Sequence, residues 1–401
     1  MRIEIAGGTY LETCLFPEWK ELYGSGLRAA SAIRALGGDV GFHTYVSDAD
    51  LPTLRARAID GNFDVHQYKT ETTVRFDYVH GFSTPVILPP PHLLSKASTI
   101  SLAGDAILRF GFMEGDAVVH GGRVVYDPQS PHRPETFGGN GSTAEELAFV
   151  CNRTEGRLLT GAKNPHEIAS ALLRVEDCTV AVIKCGSHGC IVAGEGLNAH
   201  VPAFRTDFVW PIGSGDVFAA VFSKLWAIDK LNPAEAAEGA SKATAHYCET
   251  MSLDFPADFF QTFKKEPVKP REFATSPEVY LAGPFFSMSQ NWLIEQAFDA
   301  LLGQGLKVFS PLHHVGRGDA NEVYGKDIEA LERCSIVFAC VDGLDSGTIY
   351  EIGYAKAHNK PVVAFVQNET EEDLKMLQGS GCFLEKDFVT AIYKTYWMAM
   401  A

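Results

Sequence analysis

An α/β protein in two parts is what this sequence predicts. Through the last third of the chain, short apolar strands alternate with helix-length amphipathic segments, the pattern of a parallel sheet covered on both faces. The first two thirds show the same alternation, broken by one stretch rich in Thr, Val and aromatics. Between them, FKKEPVKPREFATSPE (residues 263–278) holds three prolines and mixed charge without apolar periodicity, and reads as a linker. The expected division is therefore 1–265, a linker over 266–277, and 278–401.

The elements follow in order. IEIAGG is a strand, the glycine-interrupted GSGLRAASAIRALGG a helix and VGFHTYV a second strand. VHQYKTETTVRFDYVHGFSTPVIL (65–88) reads as a small antiparallel excursion. Apolar strands recur at AVVHGG, VVYDP and VAVIKCG, each followed by a helix-like segment. Past the linker, EVYLAG (278–283) is a strand. SQNWLIEQAFDALLGQG, with Leu293, Ala297 and Leu301 four apart and glycines at its end, is a helix. KVFSP, SIVFACVDG and KPVVAFVQ are further strands.

Composition narrows the function classes. The chain has 401 residues, 46% of them apolar and 21% charged, as in a globular protein with room for a packed core. No apolar run reaches 18 residues, and MRIEIAGGTYLETC reads as a strand and turn rather than a signal peptide, so no membrane span is expected. Nine scattered cysteines without CxxC or Cys/His spacing fit a reducing cytoplasm. A formal net charge of −16 disfavours nucleic acid and leaves small polar substrates.

In the second part, DGLDSGTIYEIGYA (342–355) follows the strand SIVFAC, where ligands of open parallel sheets bind. Asp342, Asp345 and Glu351 would gather at that rim, with Asp327 of YGKDIEALE able to join them. Taken alone, Glu351 is a carboxylate favouring the positive end of a helix that starts near Ser346. Together with YLAGPFF (280–286) and the Asp327 segment, the motif resembles the nucleoside 2-deoxyribosyltransferase family over nearly all of 277–401. The resemblance implies a flavodoxin- or Rossmann-like parallel sheet and a retaining N-glycosidic chemistry on a (deoxy)nucleoside. It makes Glu351 the nucleophile, oriented by Tyr280, with Asp327 and Asp342 assisting the departing base. Asp345 and Gly283 would contact the sugar, Asp345 near its 5′ end. Family members often complete the sugar site with an Asn from a neighbouring subunit. Here that region reads EEDLKMLQGSG, with Asp373 in place of any Asn.

In the first part, WPIGSGDVFAAVF (210–222) places Gly213, Ser214 and Gly215 before a helix, where backbone N–H groups hold an anion, and Asp216 in the first turn. NRTE sets Asn152 and Glu155 three apart, suited to water-coordinated magnesium, and KCGSHG (184–189) ends an apolar strand with glycines. These motifs resemble the ribokinase-like (PfkB) sugar and nucleoside kinases across about 1–265, with 65–88 matching that family's β-lid. The resemblance implies phosphorylation by ATP with Mg²⁺. Asp216 would be the base, Gly213–Gly215 the anion hole, and Lys184, Gly186 and Gly189 nucleotide contacts, with Asn152 and Glu155 supporting the metal. Glu12 would take the place of the family's sugar-gripping Asp, Arg28 that of its sugar-contacting Asn, and Trp210 that of an Asp at the motif's start. Arg28 implies either an anionic or altered substrate, or an arginine that points to solvent from its helix.

The expectation is a bifunctional enzyme of nucleoside and sugar metabolism. The alternative is a transferase or hydrolase whose first domain binds a nucleoside or nucleotide without catalysis. Both resemblances imply a homo-oligomer.

Overall fold

The computed structural model describes residues 1–130, 132–269, 277–316 and 318–400. They form two compact units, one of Met1–Thr206 with Trp210–Val268, the other of Asp207–Val209 with Lys269–Ala401.

The first unit carries thirteen strands. In chain order they are β1 (Arg2–Ala6), β2 (Leu11–Phe16), β3 (Trp19–Leu22), β4 (Asp39–Val46), β5 (Asp64–Lys69), β6 (Arg75–His80) and β7 (Val86–Leu88). Then come β8 (Ile100–Phe110), β9 (Ala117–Asp127), β10 (Thr143–Asn152), β11 (Val180–Lys184), β12 (Cys190–Gly194) and β13 (Leu197–Val201). Nine of them make one sheet in the order β13-β12-β11-β10-β9-β8-β1-β4-β5, parallel except at β12 and β13. A second sheet, β3-β2-β6-β7, forms the lid. The helix Gly24–Ala35 lies hard against β1 because Gly7 and Gly26 have no side chains. A Cβ on Gly7 would sit 2.7 Å from Gly26 Cα.

Three sequence expectations change here. AVVHGG and VVYDP are not two strands but the continuous β9, which also pairs with a β8 that the sequence reading left out. The Gly121–Gly122 pair reads as a stop yet serves close approach, since a Cβ on Gly122 would meet Asp105 O at 2.9 Å. Residues 65–69 are not lid: they belong to β5, the parallel edge partner of β4. The lid instead recruits β2 and β3 from residues 11–22. In the expected linker, Arg205 N–H donates to Glu266 O and Val268 N–H to Ala203 O, so 266–268 are stitched into the first unit. Its residues 270–276 lie outside the described residues.

The second unit's sheet is β14 (Glu278–Ala282), β15 (Lys307–Phe309), β16 (Ile336–Cys340), β17 (Val362–Phe365) and β18 (Phe383–Glu385). All pairs are parallel, in the order β15-β14-β16-β17-β18. Numbered from β14, this is 2-1-3-4-5, the flavodoxin-like order. Every residue of β16 is buried, which explains its uninterrupted apolar run. The helix Met288–Gly303 starts at a capping box in which Ser287 accepts from Gln290 N–H, so Ser287 is an N-cap.

Candidate functional sites

In the second unit the strand order reverses between β14 and β16, and it is beyond the carboxyl ends of such a pair that open parallel sheets bind their ligands. The wholly buried Tyr280 lies on β14, stacked on Phe309 with 5.5 Å between ring centroids. Past β16, the helix Ser346–Ala357 begins where Asp345 Oδ2 accepts from Thr348 N–H at 2.9 Å and from its hydroxyl at 3.0 Å. One turn on, Glu351 sits beside the buried Thr348, Ile352 and Ala355, and Tyr280 donates its hydroxyl to Glu351 Oε1 at 2.6 Å. Burial pushes the Glu351 carboxyl up to about 7. The Tyr280 hydrogen bond opposes that rise, and the charges of Asp327 and Asp345 add to it.

Asp327, on the helix Ala320–Arg333, is raised to about 6 by burial, and its buried Oδ1 has no partner. Asp342 is placed differently. Its Oδ1 accepts from Gln367 and Asn368 N–H, both at 2.9 Å, and its Oδ2 from Asn368 Nδ2 at 3.3 Å. It braces the loop after β17. Gly283 is small for a packing reason: a Cβ there would meet Ile294 Cδ1 at 2.6 Å and Cys340 Cβ at 3.1 Å.

In the first unit, Gly213 at φ +78° starts the helix Ser214–Ser223. Ser214 N–H already donates to Pro211 O. Arg28 does not point to solvent. It is fully buried, and a Cβ on Gly213 would collide with its guanidinium at 2.2 Å. Arg28 Nη1 donates to Asp216 Oδ2 at 2.6 Å and to Glu12 Oε1 at 3.3 Å, and Nη2 ion-pairs with Glu12 Oε2. Tyr23 and Tyr247 face the guanidinium at 5.0 and 5.9 Å. Gln129 Nε2 donates to Asp216 Oδ1 at 2.5 Å. Trp210 is buried against Trp19 of the lid, with 5.1 Å between centroids.

Asn152 and Glu155 spend themselves on each other, as the reciprocal capping box of the helix Arg153–Thr160. Lys184, at the end of β11, ion-pairs with Asp127 at the end of β9. Burial raises Asp127 to about 7 against the pull of Lys184, and its Oδ1 has no partner. Gly186 opens the turn Gly186–His188, and Gly189 follows it at φ +88°. Among the described residues, no group of three or more His, Cys, Asp or Glu is arranged to hold a metal. Asp127 and Gln129 were missed from sequence. The available signal was an Asp-Pro closing an apolar strand at the ligand-binding end of a parallel sheet.

Residues 279–385 match the nucleoside 2-deoxyribosyltransferase family, and residues 147–258 match the pfkB family of carbohydrate kinases. The chain is a fusion of these two domains. Among solved structures it is similar to fructokinase from Vibrio cholerae O395 in fructose-, ADP- and calcium-bound form. The identity is 14% and the TM-score 0.50, over 66% of this chain and 99% of that one. It is also similar to aminoimidazole riboside kinase from Salmonella enterica with aminoimidazole riboside and an ATP analogue, at 18% identity and TM-score 0.46, over 66% and 99%. Ribokinase from Thermotoga maritima aligns at 15% and 0.46, over 65% and 98%. The fructokinase likeness concerns the fold alone: the first unit shares that fold. No curated protein matches the chain.

Proposed function

We propose that the second unit cleaves the N-glycosidic bond of a nucleoside by double displacement on Glu351. The observation that carries this is the Tyr280 hydroxyl 2.6 Å from Glu351 Oε1, at the switch point of the sheet. A Glu351 carboxylate oxygen attacks C1′, the C1′–N bond breaks, and its electron pair leaves on the base nitrogen. Asp327, raised by burial to about 6 and with an open oxygen, supplies that nitrogen's proton from the form of the pair in which it, and not Glu351, carries the proton. The resulting glycosyl ester passes to a second base or to water, and the incoming group's proton returns to Asp327. Asp342 acts through the loop it braces rather than on the base. Asp345 keeps Oδ1 for the sugar while Oδ2 caps the helix. Base release from a nucleoside panel, followed chromatographically, tests the reading: wild type releases base and a folded Glu351→Gln does not.

The first unit admits two readings. As a kinase, Asp216 takes a proton from a substrate hydroxyl. As a binding module, it holds a ligand without chemistry. The 2.6 Å Arg28–Asp216 pair favours the second, because it commits the would-be base to a buried cation. The start of the helix Ser214–Ser223 and Lys184 fit the phosphates of ATP. For Mg²⁺ the fitting side chain is Asp127, with its open Oδ1, rather than the Asn152–Glu155 pair. Bound nucleotide would supply a phosphoryl group, and these residues would hold its charge. ATP turnover across sugars and nucleosides, in wild type and Asp216→Asn, separates the readings.

A further inference from the structure

The proposed reaction turns on one contact, the Tyr280 hydroxyl on Glu351 Oε1 at 2.6 Å. A functional side chain keeps such a contact only when packing holds it to within about 0.5 Å and about 10–20°. Strand β14 fixes where Tyr280 leaves the backbone but not the tilt of its ring. The core around it presents no flat face: apart from Tyr280, its buried members are aliphatic or cysteine, among them Ala282, Ala330, Leu331 and Val337. The ring that stacks on Tyr280 belongs to Phe309, the last residue of the edge strand β15 and the Cα partner of Tyr280 in the parallel pair. The two planes lie 26° apart, with 5.5 Å between centroids.

Phe309 is itself held by two further groups. His314, on the short helix Pro311–His314, stacks on it at 5.0 Å and 21°, with its own Nδ1 accepting from Ser310 N–H at 3.2 Å. The Arg333 guanidinium carbon lies 5.7 Å from the centre of the Phe309 ring. Arg333 is anchored in turn to Glu278, through Nε at 2.7 Å and Nη2 at 3.3 Å. Arg333 closes the helix that carries Asp327, and Glu278 opens the strand that carries Tyr280. The Phe309 ring therefore sits in a frame built from two of the elements that carry the site. A half-buried position at the edge of a sheet calls for no aromatic on burial grounds, since Val or Ile would serve there.

We propose that Phe309 is a positioning residue of the second unit, its ring fixing the tilt of Tyr280 and thereby keeping the tyrosine hydroxyl on Glu351. Its part in the reaction rests on the Glu351 reading above; its hold on the Tyr280–Glu351 pair does not. Both are tested on the full-length protein. Carboxyl carbon-13 NMR of glutamate-labelled protein follows the titration of Glu351 without substrate, its signal being the one missing in Glu351→Gln. The hydrogen bond from Tyr280 lowers Glu351, so Phe309→Leu is expected to raise the midpoint in the direction of Tyr280→Phe. Phe309→Met is expected to do the same, and serves where Phe309→Leu unfolds the unit. Phe309→Tyr, which keeps the ring, should leave the midpoint at the wild-type value. Within Tyr280→Phe, Phe309→Leu should add no further shift, because the hydroxyl it acts through is gone. In turnover of a nucleoside, kcat should fall about threefold to tenfold with KM unchanged, and the alkaline limb of kcat/KM should rise with the midpoint. A midpoint that Tyr280→Phe moves, and that neither Phe309→Leu nor Phe309→Met moves, overturns the proposal. So does an equal loss of kcat from Phe309→Leu in the wild-type and Tyr280→Phe backgrounds, which is what packing alone would give. Base release at the wild-type rate by Glu351→Gln overturns the reading of the reaction instead, and the titration then decides the positioning by itself.

Discussion

Replacing Glu351 by Gln is expected to stabilise the second unit while abolishing its chemistry. Burial lifts this carboxyl from 4.5 to about 7. The difference of roughly 2.5 units corresponds to about 3 kcal/mol between protonation states at about 1.4 kcal/mol per unit, as an upper bound. Because the folded-state value is the raised one, the folded state holds the proton more tightly than the unfolded chain. The stability this contributes is complete below about 4.5 and is lost as pH rises through about 7. Gln has no proton to lose, and its amide oxygen still accepts from Tyr280. Wild type and variant should therefore match below about pH 4.5, diverge as pH rises from there to about 7, and differ by the full amount above it. Hydrogen exchange of the amides of β14 and β16, compared in the full-length proteins at equal pH, reads this locally. The variant should gain up to roughly a hundredfold protection at pH 8, about 3 kcal/mol, and little at pH 4.5. A variant less protected than wild type at pH 8 would refute the reasoning, because Glu351 would then be contributing stability as a paired charge.

The same carboxyls set the other outcomes. Glu351 must be ionised and Asp327 protonated, so kcat/KM should rise and fall around a narrow optimum between about 6 and 7, its limbs belonging to the pair. Asp327→Asn should lower kcat by about 10²–10⁴ and remove the alkaline limb; a retained limb would exclude Asp327 as the acid. Tyr280→Phe removes the hydrogen bond that lowers Glu351, so the alkaline limb should move to higher pH and the rate fall about tenfold to a hundredfold. An unmoved limb would show that Tyr280 does not act on Glu351. Asp345→Ser keeps an N-cap, so stability should hold within about 0.5 kcal/mol. Wild type should prefer the nucleoside, and losing the carboxylate should shift kcat/KM toward the 5′-monophosphate by about fivefold or more. A wild-type preference for the monophosphate would contradict the role given to Asp345.

The second unit was nearly all legible in the sequence. Its inner strands β14, β16 and β17 are short apolar runs because they are buried on both faces, and the helix Met288–Gly303 stops at a glycine, so periodicity and punctuation agree there; the short, half-exposed edge strand β18 carries no such signal. Glu351 stood out as a carboxylate in an apolar segment, and its tyrosine partner lay in a quotable motif. Asp342 was harder, because a rim acid that braces a loop looks the same in sequence as one that meets a base. In the first unit, long-range pairing decided what local pattern left ambiguous. Gly121–Gly122 looked like a break, and 65–69 looked like lid until β4 claimed it as an edge partner. The fate of Arg28 was also not local. Two carboxylates brought from positions 12 and 216 bury it, and no helical periodicity around residue 28 carries that information.

The central claim is that Glu351 carries the sugar during the reaction. Its most direct measurement is mass spectrometry of peptides from protein quenched during turnover of a nucleoside slowed by a fluorine at C2′. A mass gain of one glycosyl residue is expected on the peptide containing Glu351, and none in Glu351→Gln. Base release at wild-type rate by Glu351→Gln, or a glycosyl adduct on another residue, would contradict it.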